Sequence, residues 1–217
     1  MKKAIVTAIY GDFDDPVTQP DQGVDDYILF TDNPKLTSDF WQVIYKPLPF
    51  GSPRGDAKYI KTFMWALPEL AEYDEMLWID GCLVLHDNVF AEFAQHPGFM
   101  VIARHPLPER TNVYEAIDIC RPLGKYADAR FDEQVAYMRS IGFPEQTQIL
   151  ACCRFLTRRA PELVKLTHYW WSHNLLFHWQ DQLSLPVAIY QSGVTPTIIP
   201  NRPGSYHHEA HLINENR

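Results

Sequence analysis

Apolar residues along the chain fall into two alternating patterns, short continuous runs and longer stretches spaced by three and four. Residues 3–10 are β-branched and almost wholly apolar, as a central strand buried on both faces of a parallel sheet requires, and the run stops at Gly11. A polar loop with Asp12, Asp14, Asp15, Pro16 and Pro20 follows. A second apolar strand at 27–31 ends in the turn signal Asp32-Asn33-Pro34. A third, at 41–45, runs into the Pro-rich loop 47–53. From 56 to 72, Ile60, Phe63, Met64, Leu67, Leu70 and Ala71 recur at helical spacing, predicting an amphipathic helix that carries Pro68 near its end. Another buried strand, 76–79, is closed by Asp80-Gly81.

Further along, the pattern predicts helices at 88–95, 113–119 and 133–141, with strands at 99–103 and 149–156. Pro161, at a helix N1 position, opens the longest helix, about 161–179, and a strand-rich end is expected over 187–199. Strand followed by helix, repeated, predicts an α/β fold: a mostly parallel central sheet flanked by helices, Rossmann-like. Without a repeat, a low-complexity linker or a shift in composition, one domain spanning 1–217 is expected.

Composition narrows the function classes. The 217 residues are 46% hydrophobic and 13% aromatic, enough to bury roughly 70% of the unfolded surface, which excludes a disordered chain or a disulfide-stapled miniprotein. Cys82, Cys120, Cys152 and Cys153 form no CxxC pair or zinc-ribbon spacing and read as buried reduced thiols. Nineteen Lys and Arg against 27 Asp and Glu leave a net charge of −8, which argues against binding nucleic acid or anionic membranes. A phosphate ligand then has to be held locally. The apolar run before Tyr10 is too short for a signal peptide, and a membrane span needs about 20 apolar residues. No transmembrane segment and a cytoplasmic location are therefore expected.

In open parallel sheets ligands bind outside the carboxyl ends of the strands, here Ala8 to Asp12, Thr31-Asp32 and Asp80-Gly81-Cys82. GxGxxG, GxxxxGK[ST] and GxSxG are all absent. His207-His208-Glu209-Ala210-His211 lacks the spacing of a zinc-protease helix. Asp80 either serves the site or caps the turn before Gly81, and Asp32 fits an Asx turn equally well. Arg54, in a loop before the first helix, can grip a phosphate bidentately. Lys58 and Lys61 lie on one helix face, where they reach a diphosphate or remain solvated surface. Arg104 and His105 at a strand end, with Glu115 beyond, line an acceptor pocket or form a structural ion pair. His168, His173 and His178 fan around their helix rather than sharing a face.

Several of these segments carry a resemblance. An amphipathic helix followed by YDEMLWIDG (73–81) resembles the approach to the metal-binding strand end of nucleotide-sugar-dependent glycosyltransferases of the A-type fold. FTD (30–32) is similar to their nucleobase-side strand end, and WQDQLS (179–184) to their donor-sugar and acceptor segment. Together with PRGDAKYIK (53–61) and the ARHP…VYEAI run (103–117), these motifs most resemble a glycosyltransferase-like family of formerly unknown function. That family occurs in plant cell-wall and mucilage proteins and in bacterial polysaccharide loci.

The resemblance implies a hexosyltransferase-like enzyme that moves a sugar from a nucleoside-diphosphate donor to a glycan or other hydroxyl acceptor. It implies donor binding by Ala8, Tyr10, Thr31, Asp32, Arg54, Lys58, Lys61, Asp80 and Gly81, and acceptor binding by Arg104 and His105. Asp181, Gln182 and Glu115 would carry the chemistry, with Asp181 acting at the sugar. A divalent cation, Mn²⁺ or Mg²⁺, would sit on Asp80 and a late histidine, His207 or His208. Cys82 stands where these enzymes place a second aspartate, and a thiol suits a hard cation poorly. The alternatives are a non-catalytic nucleotide-sugar or glycan-binding module of the same fold and, with less support, a metal-dependent hydrolase built on Asp80 and the His207-His208 pair.

Overall fold

The computed structural model describes residues 1–86, 88–106 and 112–208; residues 107–111 of the ARHP…VYEAI run and 209–211 of the histidine-rich motif lie outside them. Nine strands and six α-helices are present among the described residues. The strands are β1 (Lys3–Ile9), β2 (Asp26–Thr31), β3 (Gln42–Tyr45), β4 (Glu75–Ile79), β5 (Leu83–Leu85), β6 (Met100–Arg104), β7 (Leu150–Arg158), β8 (Thr197–Ile199) and β9 (Tyr206–His208). The helices are α1 (Pro53–Phe63), α2 (Val89–Ala94), α3 (Val113–Cys120), α4 (Phe131–Ser140), α5 (Pro161–Leu176) and α6 (Asp181–Ser192).

Seven strands form one sheet in the order β3-β2-β1-β4-β7-β6-β8, while β5 and β9 form a separate antiparallel pair. β1 pairs in parallel with both β2 and β4, and β7 runs antiparallel to its neighbours β4 and β6. Helices cover both faces of this mostly parallel sheet. On one face Ala4, Val6 and Trp78 pack with Ile60 and Met64 of α1, Trp170 of α5 and Leu185 of α6. On the other, Ile5, Leu29 and Leu77 pack with Val89, Phe90 and Phe93 of α2. This alternation along β1 and β4 explains their unbroken apolar runs, since both faces are dry. No described helix is long and apolar enough to cross a membrane.

Three local outcomes differ from the periodicity. The predicted helix 56–72 begins earlier, at Pro53, because Ser52 caps it by accepting from the Gly55 amide at 3.3 Å. It ends at Phe63 and continues only as 3₁₀ turns over Met64–Ala66 and Pro68–Leu70, since Pro68 lacks an N–H and holds Leu67 extended. The strand-rich end expected over 187–199 is mostly helix: α6 runs through Pro186 to a left-handed Gly193 at φ +69°, and only β8 is strand. A short apolar run such as LPVAI fits a buried helix as well as a buried strand. The long helix 161–179 stops at Leu176, and Phe177 to Gln180 link it to α6, with Trp179 and Gln180 lining a cavity.

The crevice at the carboxyl ends of β1 and β4 depends on Gly11. Its φ is +64°, and a Cβ there would lie 2.6 Å from Pro53 Cγ, so the loop after β1 and the first turn of α1 touch only because residue 11 has no side chain. The Gly11 amide donates to Asp32 Oδ1 at 2.9 Å, which fixes this loop to the end of β2. Gly11→Ala should therefore destabilise the protein by about 2 kcal/mol or more, combining left-handed strain with a clash against a rigid ring. Urea unfolding measures this, and an unchanged midpoint would show that the two loops can part without cost.

Candidate functional site

A cavity of about 280 Å³ opens at this crevice. Its floor comes from Ala8, Ile9 and Tyr10 at the end of β1 and from Trp78, Asp80, Gly81 and Cys82 at the end of β4. Its walls are Arg54, Ala57, Lys58 and Lys61 of α1, Phe13 and Asp14 of the loop after β1, Lys125 and Tyr126 before α4, Trp179 and Gln180 before α6, and His208 of β9. A second hollow of about 490 Å³ adjoins it and shares Arg54, Lys125, Tyr126 and Trp179. Four basic side chains, Arg54, Lys58, Lys61 and Lys125, and two acidic ones, Asp14 and Asp80, line the first cavity. A locally positive basin thus sits in a chain of net charge −8.

The base of the cavity is a buried ion cluster. Lys61 is 1% exposed, and its Nζ donates to Asp80 Oδ1 at 2.8 Å and to Asp181 Oδ2 at 2.5 Å. Lys58, one turn earlier on α1, donates to the same Asp181 oxygen at 2.7 Å. The Trp78 indole N–H adds a bond to Asp80 Oδ1 at 2.8 Å. Burial works against ionisation of both carboxyls, yet the two ammonium groups outweigh it. Asp181 is held well below the usual carboxylate range, and Asp80 is lowered as well. Lys61 responds in kind: burial favours its neutral form, and Asp181 and Asp80 overcome that and raise its pKa. Two cations and two anions close together leave the cluster neutral, with Asp80 open enough (35% side-chain exposure) to face the cavity and Asp181 covered.

Loop geometry holds the surrounding groups. A side chain at Gly81 would meet Ile9 Cγ1 at 2.9 Å and Asp14 Oδ2 at 3.3 Å, so its absence lets the Asp14 loop fold over the end of β4. At Gly55 a Cβ would stand 3.1 Å from Trp179 Cζ2, and α1 thereby accepts the indole edge of the opposite wall. His208 reaches the cavity because β9 is pinned from beneath. The buried Arg154 of β7 donates to Ser205 Oγ at 2.5 Å and Asn201 Oδ1 at 2.9 Å, and its guanidinium lies 4.4 Å from the centre of the Tyr206 ring. Opposite His208, the Cys82 thiol lies 3.5 Å from Nδ1. Burial, with Asp80 and Asp14 nearby, pushes that thiol up to about 12, so it stays protonated at neutral pH.

Of the residues singled out in the sequence, Ala8, Tyr10, Arg54, Lys58, Lys61, Asp80, Gly81 and His208 meet in this cavity. Tyr10 contributes its ring, its hydroxyl being turned away to donate to Lys46 O at 2.8 Å. Thr31 and Asp32 do not line the cavity and accept from the Asn33 and Gly11 amides. Asp181, expected at the sugar, lies beneath the lysines as their counter-ion, and Gln182 accepts from the Gln180 amide group at 3.2 Å. Arg104, His105 and Glu115 do not line the cavity. Glu115 lies exposed in the first turn of α3, with its amide bonded to Asn112 Oδ1, while Arg104 lies exposed at the end of β6 and the His105 amide donates to Ile149 O. His207 lies on the outer face of β9, 2.5 Å from His86 Nε2.

Asp14, Phe13, Lys125, Tyr126 and Trp179 were not singled out as site residues. Only Trp179 carried a signal, as the first residue of the WQDQLS run.

The side chains expected to hold Mn²⁺ or Mg²⁺ are engaged with other groups in this structure. Asp80 Oδ1 accepts from an ammonium and an indole, His207 Nδ1 pairs with His86, and His208 Nδ1 lies 3.5 Å from the Cys82 thiol. Among the described residues no three His, Cys, Asp or Glu side chains are placed to hold one metal ion. Compared with protein-family models and with curated proteins, the chain matches none.

His178 supports the Trp179–Gln180 wall. Its Nδ1 accepts from the Gln180 amide at 3.0 Å and its Nε2 donates to Gln134 Oε1 at 2.6 Å, so both nitrogens are committed to the neutral ring. Burial lowers its pKa to about 4. The unfolded chain therefore takes up this proton first, and stability falls as pH drops from about 6.5 toward 4. Between pH 7 and pH 4 the wild type should lose about 3 kcal/mol more than His178→Gln. Urea unfolding at both pH values checks this, and parallel losses would mean that His178 accepts a proton in place.

Proposed function

We propose that the chain is a glycosyltransferase of the A-type fold, moving a sugar from a nucleoside diphosphate to a hydroxyl acceptor. The observation that carries this reading is the convergence of Arg54, Lys58, Lys61 and Lys125 on one cavity at the carboxyl edge of the sheet, in an acidic chain, with a second hollow behind a shared wall. A diphosphate needs concentrated positive charge, and a nucleobase needs a flat apolar surface such as Phe13, Tyr126 or Trp179 offers. A transfer reaction needs room for two partners at once, and two joined hollows supply it.

In this reading the Arg54 guanidinium and the Lys125 ammonium take the charge that grows on the departing diphosphate, above the neutral cluster of Lys58, Lys61, Asp80 and Asp181. Being fixed before reaction, they stabilise it without reorganising. Asp181 is a positioning residue, since a carboxylate held this far below its usual range is a weak proton acceptor at neutral pH. Asp80, half open to the cavity, faces the donor. The acceptor enters through the second hollow, past Tyr126 and Trp179.

A binding module of the same fold is the competing reading, and one observation favours it: two lysines cover Asp181, the carboxylate expected to drive turnover. Calorimetry with UDP, GDP and their sugar conjugates separates the two, followed by NMR for slow release of free sugar. Nucleotide binding with slow donor hydrolysis is expected. Arg54→Ala should weaken nucleotide binding by about tenfold or more, as loss of a charge-assisted hydrogen bond does. Binding without hydrolysis at any acceptor concentration would favour the module. No binding of either nucleotide overturns both.

A further inference from the structure

We infer that the Lys61 ammonium takes the place of a divalent cation at this site, and that the chain holds a nucleoside diphosphate without metal. The inference rests on the nucleotide-binding reading above and adds how the charge is supplied. Lys61 Nζ stands between a carboxylate at the end of β4 and another at the start of α6, 2.8 and 2.5 Å from their oxygens. A hard cation bridging two carboxylates would occupy the same position, bound by the same oxygens. Here the charge is covalently tethered, buried and carried on a helix one turn from Lys58.

The electrostatics disfavour a second cation at this position. Lys58 and Lys61 already balance Asp80 and Asp181, and a doubly charged ion entering beside two ammonium groups is repelled by both. The position that would strengthen a metal site, residue 82, holds a protonated thiol turned toward His208. Asp80 keeps part of its surface in the cavity while its Oδ1 is saturated by Lys61 and Trp78. The loss of a second carboxylate at position 82 and the presence of a buried lysine between Asp80 and Asp181 are thus two sides of one arrangement.

Removing the ammonium should expose the underlying carboxylate pair to metal. The test titrates Mn²⁺ alone, followed by its solution EPR signal, into the full-length wild type and Lys61→Ala, with Lys61→Gln taking the alanine variant's place if that one does not fold. In parallel, UDP and GDP are titrated into the wild type with excess EDTA and with Mn²⁺. The Lys61 variant should bind Mn²⁺ at least about tenfold more tightly than the wild type, and EDTA should leave the wild type's nucleotide affinity unchanged. Nucleotide binding by the wild type only when Mn²⁺ is present would overturn the inference and leave the nucleotide reading standing. If neither nucleotide binds under either condition, the nucleotide reading falls, and the Mn²⁺ titration still decides the role of Lys61. Equal Mn²⁺ affinity in wild type and variant, whether tight or undetectable, would overturn it.

Discussion

One ammonium group, that of Lys61, joins three parts of the chain that are otherwise remote in sequence. It lies on α1, and its two partners lie at the end of β4 and the start of α6. A buried cation cannot be left unpaired, so the helix, the strand end and the later helix must meet in one relative orientation. That orientation sets where Arg54 and Lys58 project. Lys58 and Lys61 share Asp181 Oδ2, which directs the whole inner face of α1 into the crevice. Buried ion pairs add little to stability when compared with apolar packing of similar size. Their effect here is to choose geometry, while the apolar layers on either side of the sheet supply the cohesion.

Arg54 and Lys125, lining the cavity beside this neutral cluster, reconcile an acidic protein with a locally positive cleft. Net charge describes the field far from the surface, whereas a cleft with low-dielectric walls focuses the field of the few charges that line it. Exposed carboxylates elsewhere on the chain are screened by salt over roughly 10 Å. An overall balance of −8 therefore argues against broad polyanion surfaces and leaves a small anion pocket untouched.

Much of the frame was legible in the linear pattern, and the reasons are physical. β1 and β4 are dry on both faces, so their sequences are continuous apolar runs with sharp polar ends, and those ends are where the cavity opens. α1 announced itself through Ile60 and Met64, and Pro68 explains why its pattern outlasts its hydrogen bonds. What could not be read was pairing at a distance. Nothing near Lys61 indicates that a residue 120 positions later neutralises it, and a lysine on a helix is ordinarily a solvated surface group. Asp14 reaches the cavity on an irregular loop and Tyr126 on a single 3₁₀ turn, both too short to show a periodicity that reveals which way they point. β5 and β9 are three-residue strands whose pairing depends on Arg154 from the main sheet, and α6 was obscured by an apolar run without amphipathic spacing.

β7 lies inside the sheet beside its central strand β4 but comes late in the chain, its residues 154–158 lying against residues 75–79 of β4. β1 already pairs with β4 across some seventy residues, and β4 in turn waits for a segment that closes a further loop of some eighty. Closing such a loop forfeits chain entropy before any contact rewards it. Until β7 arrives, the inner edge of β4 is an open row of unpaired amides and carbonyls, and open edges are templates for pairing between molecules. During synthesis the nascent chain therefore passes through a stage in which β4, dry on both faces in the finished sheet, has one bare flank, and rapid completion of the β4–β7 ladder is what separates folding from self-association.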